Sequence, residues 1–337
     1  MFIKTIKISI KWVIICIILF ISIIIILCIY FGTSQAKEEE KDYIHWVEYS
    51  VPYEVMDKAA KIDIASQQQE YPIDWIELIA YLSAKYGGNF KQYQKQDLEE
   101  VVEKLKQGEI MENLVVNDKL YNYYIECYQA ILGEFIGEYE IEKMNQTGQK
   151  EKVTEYGIKA FLPIAKNYSF SHYKDFGTAR SYGYKRVHLG NDIMGSIGTP
   201  IIAVESGTVE ALGWNPYGGW RIGIRSFDKK RYYYYAHLRK DHPFVKTLKE
   251  GDTVTAGDVI GYLGMTGYST KENVNNINIP HLHFGMQLIF DESQKDGVNQ
   301  IWIDVYDIIN FLKRNQSEVY KPKEGEDYVR KWNMVEK

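Results

Sequence analysis

The sequence predicts an α+β multidomain protein: an N-terminal transmembrane helix, a small helical domain, then a mainly antiparallel β domain. Three observations carry this expectation. One long apolar run stands at the N-terminus, apolar residues at helical spacing follow it, and from about residue 161 short β-rich runs alternate with glycine turns. The expected division is 1–40 for the cytoplasmic tail and anchor, 41–140 for the helical domain, 141–160 for a linker, 161–314 for the β-rich domain and 315–337 for a polar, loosely ordered tail. A length of 337 residues suits about two folded domains. Hydrophobic residues at 45% and charged residues at 25% exclude a disordered chain and a polytopic membrane protein. With 40 Lys+Arg against 45 Asp+Glu and a net charge of −5, there is no nucleic-acid footprint. Three cysteines exclude a disulfide scaffold and a Cys-rich zinc module.

The apolar run extends from Trp12 to Phe31. At about 1.5 Å per residue it spans about 30 Å, the thickness of a bilayer core. Lys4, Lys7 and Lys11 precede it and Glu38, Glu39 and Glu40 follow it, so the N-terminus is expected in the cytoplasm and the remainder outside. Ser34-Gln35-Ala36 looks like a cleavage site, but the run exceeds a usual signal-peptide core, and an uncleaved anchor is expected. Cys16 and Cys28 lie within the span, which leaves Cys127 alone beyond it.

Four helices are expected in the next region. The first covers Pro52 to Ala65, with Val55, Met56, Ala59, Ala60, Ile62 and Ile64 mostly at helical spacing. Asp74 caps a second, which Gly87-Gly88 ends; Asp97 opens a third, stopped by Gly108; Asp118 starts a fourth, from Leu120 to Phe135. This region serves equally as a plain structural domain or as a spacer that binds a protein partner. Strands are expected at Thr199–Val204, Gly207–Leu212, Trp220–Ile224, Arg231–Leu238 and Asp258–Leu263, with one helix over Ile301–Leu312.

The histidines carry the chemistry. In His281-Leu282-His283, residues two apart on a strand point to one face, so both imidazoles share a site. His188 and Asp192 are an even number apart as well, and Gly190 between them leaves room for an ion if that segment is extended. Two imidazoles and a carboxylate form a three-ligand zinc site with a fourth position open for water, the pattern of catalytic zinc. Such a metal acidifies water and polarises the carbonyl under attack. The helical His-Glu-x-x-His signature is absent. On Tyr232–Leu238, His237 is expected on the face of Tyr233 and Tyr235; His242, on a polar turn before Pro243, is expected to face solvent, and His172 and His45 have no partner in sequence. The turn of Trp214, Tyr217, Gly218, Gly219 and Trp220 reads equally as the edge of a substrate groove or as a hairpin with its own small core.

The stretch from about Asp175 to Gln287 resembles the lysostaphin-type, LytM-like zinc peptidases, which are peptidoglycan endopeptidases. The resemblance rests on Arg186-Val-His188-Leu-Gly-Asn-Asp192, Gly198-Thr-Pro-Ile-Ile-Ala-Val, Gly207-Thr-Val, Tyr217-Gly-Gly219, Tyr235-Ala-His237-Leu, Gly251-Asp-Thr-Val-Thr-Ala-Gly257 and Pro280-His-Leu-His283-Phe. It implies zinc held by His188, Asp192 and His283, with His237 and His281 as unligated catalytic histidines. It also implies a transition-state tyrosine six residues before the first zinc histidine, where Tyr182 stands with Tyr184 close by. His281 reaches the attacking water as a base and His237 donates to the oxyanion, labels that can be exchanged between the two. The expected function is that of an anchored extracytoplasmic zinc endopeptidase acting on peptidoglycan peptides. Two rivals stand against it. A lipoyl or biotinyl carrier needs a lysine on an exposed turn, and Gly264-Met-Thr-Gly267 has none; a peptidase-like scaffold in sporulation or envelope remodelling usually loses a site residue, and this chain keeps all five.

Overall fold

A computed structural model describes residues 17–25, 43–182 and 184–336; for Tyr182 and Tyr184 the backbone alone is described. Residues 17–25 are helical and mostly exposed, and belong to a unit spanning Met1–Ile44. The expected span of Trp12 to Phe31 otherwise lies outside the described residues, as do Cys16 and Cys28. Among the described residues no helix is long and apolar enough to cross a membrane.

His45–Lys337 forms the second compact unit. Its helical region contains helices Tyr53–Ser66, Trp75–Tyr86, Lys95–Lys106, Met111–Leu114 and Asp118–Leu132. Asp74 caps the second, accepting from the amides of Ile76 and Glu77 at 2.6 and 3.0 Å, and Gly87 closes it with a left-handed φ of 58°. One other expected start is corrected: Asp97 does not open its helix but lies within it, accepting from Lys85 and Tyr86. Asp118 starts the last helix as expected, with Asn117 as its cap, accepting from the Leu120 amide at 3.0 Å.

The strands in chain order are β1 (Ile136–Met144), β2 (Lys150–Ile158), β3 (Phe170–His172), β4 (Ala179–Tyr182), β5 (Tyr184–Val187), β6 (Asn191–Gly195), β7 (Pro200–Ile202), β8 (Gly207–Asn215), β9 (Gly219–Ser226), β10 (Arg231–Ala236), β11 (Thr253–Val254), β12 (Val259–Tyr262), β13 (His281–Leu288), β14 (Ile301–Ile303), β15 (Val319–Tyr320), β16 (Val329–Arg330) and β17 (Met334–Glu336). The main sheet runs β11-β8-β9-β10-β13-β6-β3, with β14 also on β13, and every pairing is antiparallel. One face is core: Tyr233, Tyr235, Ile222, Ile224, Leu282, Phe284 and Ile193 are fully buried there. The intervening residues, Tyr232, Tyr234, His281 and His283, face the opposite side.

Three expectations fail in this unit. The polar stretch 141–160 is no linker, because β1 and β2 form a hairpin through it, tied by the ion pairs Lys143–Glu155, Lys150–Glu142 and Lys152–Glu140. The polar tail is ordered: β17 joins that hairpin at β1, and Met334 packs with Phe161, Ile202 and Val259 in a buried cluster. Ile301–Leu312 divides into β14 and a helix, Tyr306–Leu312.

The helical region is packed against the sheet. Trp75 stacks on Phe311 with ring centroids 5.6 Å apart, and Arg231 is completely buried between the two regions. Its guanidinium donates to Glu205 at 2.7 and 3.0 Å and to the Ala130 carbonyl at 2.7 Å, near the end of the last N-terminal helix. Removing one member of a buried pair leaves the other charge unpaired in an apolar interior. Arg231→Ala should therefore lower the unfolding free energy by about 3–5 kcal/mol, measured by denaturant titration. A loss below about 1 kcal/mol would contradict the role given to this contact.

Candidate metal centre and active site

The site is assembled at β6 and β13. Their antiparallel register places Asp192 directly opposite His283 and Met194 opposite His281. His188 arrives from a turn, since β5 ends at Val187 and β6 begins at Asn191; the segment is not extended as the sequence spacing suggested. Backbone bonds from His188 to Thr178 and from Gly177 to His188 fix that turn, at 2.9 and 2.8 Å. Gly190 has a purpose other than making room for an ion. A Cβ there would lie 2.8 Å from the His283 ring and 2.6 Å from the Phe284 carbonyl oxygen, so glycine lets the turn press against His283.

His188 Nε2, His283 Nδ1 and Asp192 Oδ1 converge. His188 Nε2 lies 3.0 Å from Asp192 Oδ1 and 2.8 Å from His283 Nδ1, and His283 Nδ1 lies 3.3 Å from Asp192 Oδ1. Among the described residues these three form the group able to hold a metal ion. His188 Nδ1 donates to the Asp175 carbonyl at 3.1 Å, which leaves Nε2 with its lone pair turned inward. In the neutral tautomers at most one proton then serves three facing acceptors. A dication satisfies that arrangement better, and donors about 2.0 Å from a tetrahedral centre stand about 3.3 Å apart, close to the spacings here. The donor set of two imidazoles and one carboxylate thus fits zinc with a position left open. Burial alone would raise the Asp192 carboxyl, but its contacts with the His188 and His283 imidazoles outweigh it and hold the group well below the usual carboxylate range. For His283 burial dominates and lowers the imidazole.

The remaining two histidines surround this centre without joining it. His281 Nε2 lies 3.6 Å from Asp192 Oδ1, and its Nδ1 donates to the Ile279 carbonyl at 2.8 Å. His237 packs against His281 at 4.8 Å and His283 at 5.9 Å between ring centroids. Its expected side of the strand is corrected. His237 has φ of 63°, which breaks the alternation after Ala236 and turns the ring away from the core face of Tyr233 and Tyr235 to the side of Tyr234. Its Nδ1 donates to the Thr266 carbonyl at 2.9 Å. Gly267 makes this approach possible: its φ is 125°, and a Cβ would lie 2.9 Å from His237 Nδ1. Burial, reinforced by His281 and His283 nearby, pushes the His237 imidazole well below its ordinary range, so it is neutral at neutral pH.

Two supporting side chains carry no local signature in the sequence. Asp175 accepts from Asn191 Nδ2 at 3.2 Å and Arg180 at 3.1 Å; Arg180 also reaches the second oxygen of Asp192 at 3.4 Å. Asp175 lies in an irregular stretch and Arg180 in the short strand β4, where neither periodicity nor a partner at short spacing marks them. The backbone of Tyr182 stands in the β4–β5 hairpin opposite Tyr184, and both side chains lie outside the described residues. His242 is not solvent-facing. It bonds Asp327 at 2.8 Å and stacks on Tyr262, which helps tie the C-terminal segment down. His172 bonds Asn310 at 3.0 Å, away from the site. The aromatic turn divides: Trp214 and Trp220 pack on one another at 5.6 Å, whereas Tyr217 and Gly218 line a small cavity beside the metal donors. A larger groove of about 770 Å³ continues from His283 past Tyr234, Tyr232 and Arg221 to Trp302.

Residues 186–298 match the model of peptidase family M23. The chain carries a peptidase family M23 domain. All three metal donors, His237 and His281 fall within that match. The domain is 42% identical over 133 residues to the L-Ala–D-Glu endopeptidase of Bacillus subtilis, covering 39% of each chain. It is 41% identical over 99 residues to lysostaphin of Staphylococcus staphylolyticus, covering 29% of this chain and 18% of lysostaphin. The chain thus spans about two fifths or less of the length of these relatives. A crystal structure of a LytM protein from Ruminococcus gnavus superposes with a TM-score of 0.52 at 22% identity, over 82% of this chain and 92% of that one, which shows that the fold is shared beyond the M23 domain.

The bracing by Asp175 is testable. Asp175→Ala frees Arg180 and Asn191 and removes the carboxylate beside the His188 ring and the Asp192 amide, while keeping all three metal-donor side chains, and should weaken zinc affinity about 10- to 100-fold while the chain remains folded. Competition against a chelator of known affinity checks it, and unchanged affinity would remove Asp175 from the site.

Proposed function

We propose that the protein is a membrane-anchored, extracytoplasmic zinc endopeptidase that hydrolyses peptide bonds of peptidoglycan. The observation that carries this reading is the convergence of His188, Asp192 and His283 inside an M23 domain, with two further histidines aimed at the same point. The names of the relatives, an L-Ala–D-Glu endopeptidase among them, support the reaction class. Zinc bound there would acidify a water and polarise the scissile carbonyl.

The residues of the chain then divide the work. His188, Asp192 and His283 hold the ion. With Nδ1–H tied to a carbonyl, His281 and His237 each present a bare Nε2 to the site. His281, nearer the carboxylate of Asp192, takes the proton of the attacking water at Nε2. His237, neutral at rest, holds the second side of the site; it bonds the oxyanion only where the proton of the attacking water comes to its Nε2 instead, the exchange of labels that the two histidines allow. Tyr182 is assigned to transition-state stabilisation from its place six residues before His188. Anchoring and an exterior location rest on the apolar run Trp12 to Phe31 and the lysines ahead of it. The helical region is proposed to set reach or to bind a protein partner.

His283→Ala should lose zinc, whereas His281→Ala should keep zinc and melting temperature but lose about 10²–10⁴-fold in rate. Zinc content measured beside hydrolysis of purified cell wall separates the two; zinc loss in His281→Ala with retention in His283→Ala would reverse the assignment. Mass spectrometry of the released products tests the function itself. New amino termini from cut peptides support it, and an intact wall after incubation with zinc-loaded protein refutes it.

A further inference from the structure

Among the described residues, the groove beside the metal donors contains a cation to which no acid is paired. Across the sheet, Asp192 on β6 pairs with His283 on β13, and His283 pairs with Ala236 on β10. On the next strand Ile222 pairs with Tyr235, so Arg221 stands beside Ala236, one step further along β9. The row therefore reads Asp192, His283, Ala236, Arg221. At about 4.8 Å between strands, the Arg221 backbone is about 10 Å from that of His283. In that row Ala236 is the one residue between them, and Arg221 and His283 line the same groove.

Three cations line that groove: Arg186, Arg221 and Lys295. Lys295 is paired with Glu210 at 3.0 Å. Arg186 bonds the Tyr268 hydroxyl and lies over its ring. Arg221 is half-buried, and among the described residues no carboxylate, carbonyl or hydroxyl is bonded to it. The groove's other acid, Asp296, is exposed and not paired with it. A half-buried arginine with no bonded partner among the described residues, one small residue from a candidate metal centre, suits a ligand that brings its own carboxylate.

We propose that Arg221 binds a substrate carboxylate within one or two residues of the scissile bond. The substrate is then an acidic peptide, such as a wall stem peptide cut next to D-glutamate, rather than a neutral glycine bridge. This rests on the endopeptidase reading above and narrows its substrate class. Arg221 acts as a specificity residue and holds no part of the metal site.

The test measures kcat/KM of the full-length, zinc-loaded protein on three synthetic peptides. One is a stem peptide with L-alanine before D-glutamate and a free α-carboxylate; the second carries that carboxylate as an amide; the third is pentaglycine. The wild type should prefer the free acid over the amide by about 10- to 100-fold and cut pentaglycine least. Arg221→Ala should lose that preference by slowing the free acid alone, with zinc content unchanged, and Arg221→Lys should keep part of it. Equal cleavage of acid and amide by the wild type, or Arg221→Ala slowing both alike, overturns the proposal and leaves the endopeptidase reading standing. No hydrolysis of any peptide by zinc-loaded protein overturns both.

Discussion

The pairing of β6 with β13 is the constraint on which the site depends. It sets Asp192 against His283, and a slip of one residue would present Ile193 or Leu282 to the metal instead. What prevents the slip is the other face of the same strands. Ile193, Leu282 and Phe284 are completely buried there, so the hydrophobic core that stabilises the sheet also holds two metal donors in register. Donors held by packing before any ion arrives avoid much of the ordering cost of binding.

The site departs from regular structure at two places, and both bring in a histidine. His188 enters from the tight turn that Gly190 permits, and His237 enters because a left-handed residue ends β10. This decides what was legible in the sequence. His281 and His283 lie on an unbroken strand, so a period of two places them together correctly. The same rule applied to His237 put it beside Tyr233 and Tyr235, since the reversal at φ 63° depends on Gly267 and Thr266, which lie far along the chain. Asp175 and Arg180 act through tertiary contacts alone and leave no local pattern.

A similar distinction runs through the fold. The amphipathic helices and the glycine-separated strands follow from apolar spacing, and Asp74 and Gly87 mark one helix at both ends. The β1–β2 hairpin was hidden because its pairing is expressed in charge. Lysines and glutamates alternate where apolar residues usually would, and the cross-strand ion pairs appear only once the register is known. Likewise the polar C-terminal segment is fixed by a few contacts, Met334 in the core and Asp327 on His242, that composition does not reveal.

The central claim is that three side chains, and no others from this chain, hold the metal. X-ray absorption at the zinc edge of the loaded protein tests it most directly. The account predicts two imidazole nitrogens at about 2.0–2.1 Å with oxygen donors completing the shell, unchanged in His281→Ala and His237→Ala. A shell with three or four imidazoles, or one that loses a nitrogen when His281 or His237 is removed, would contradict it.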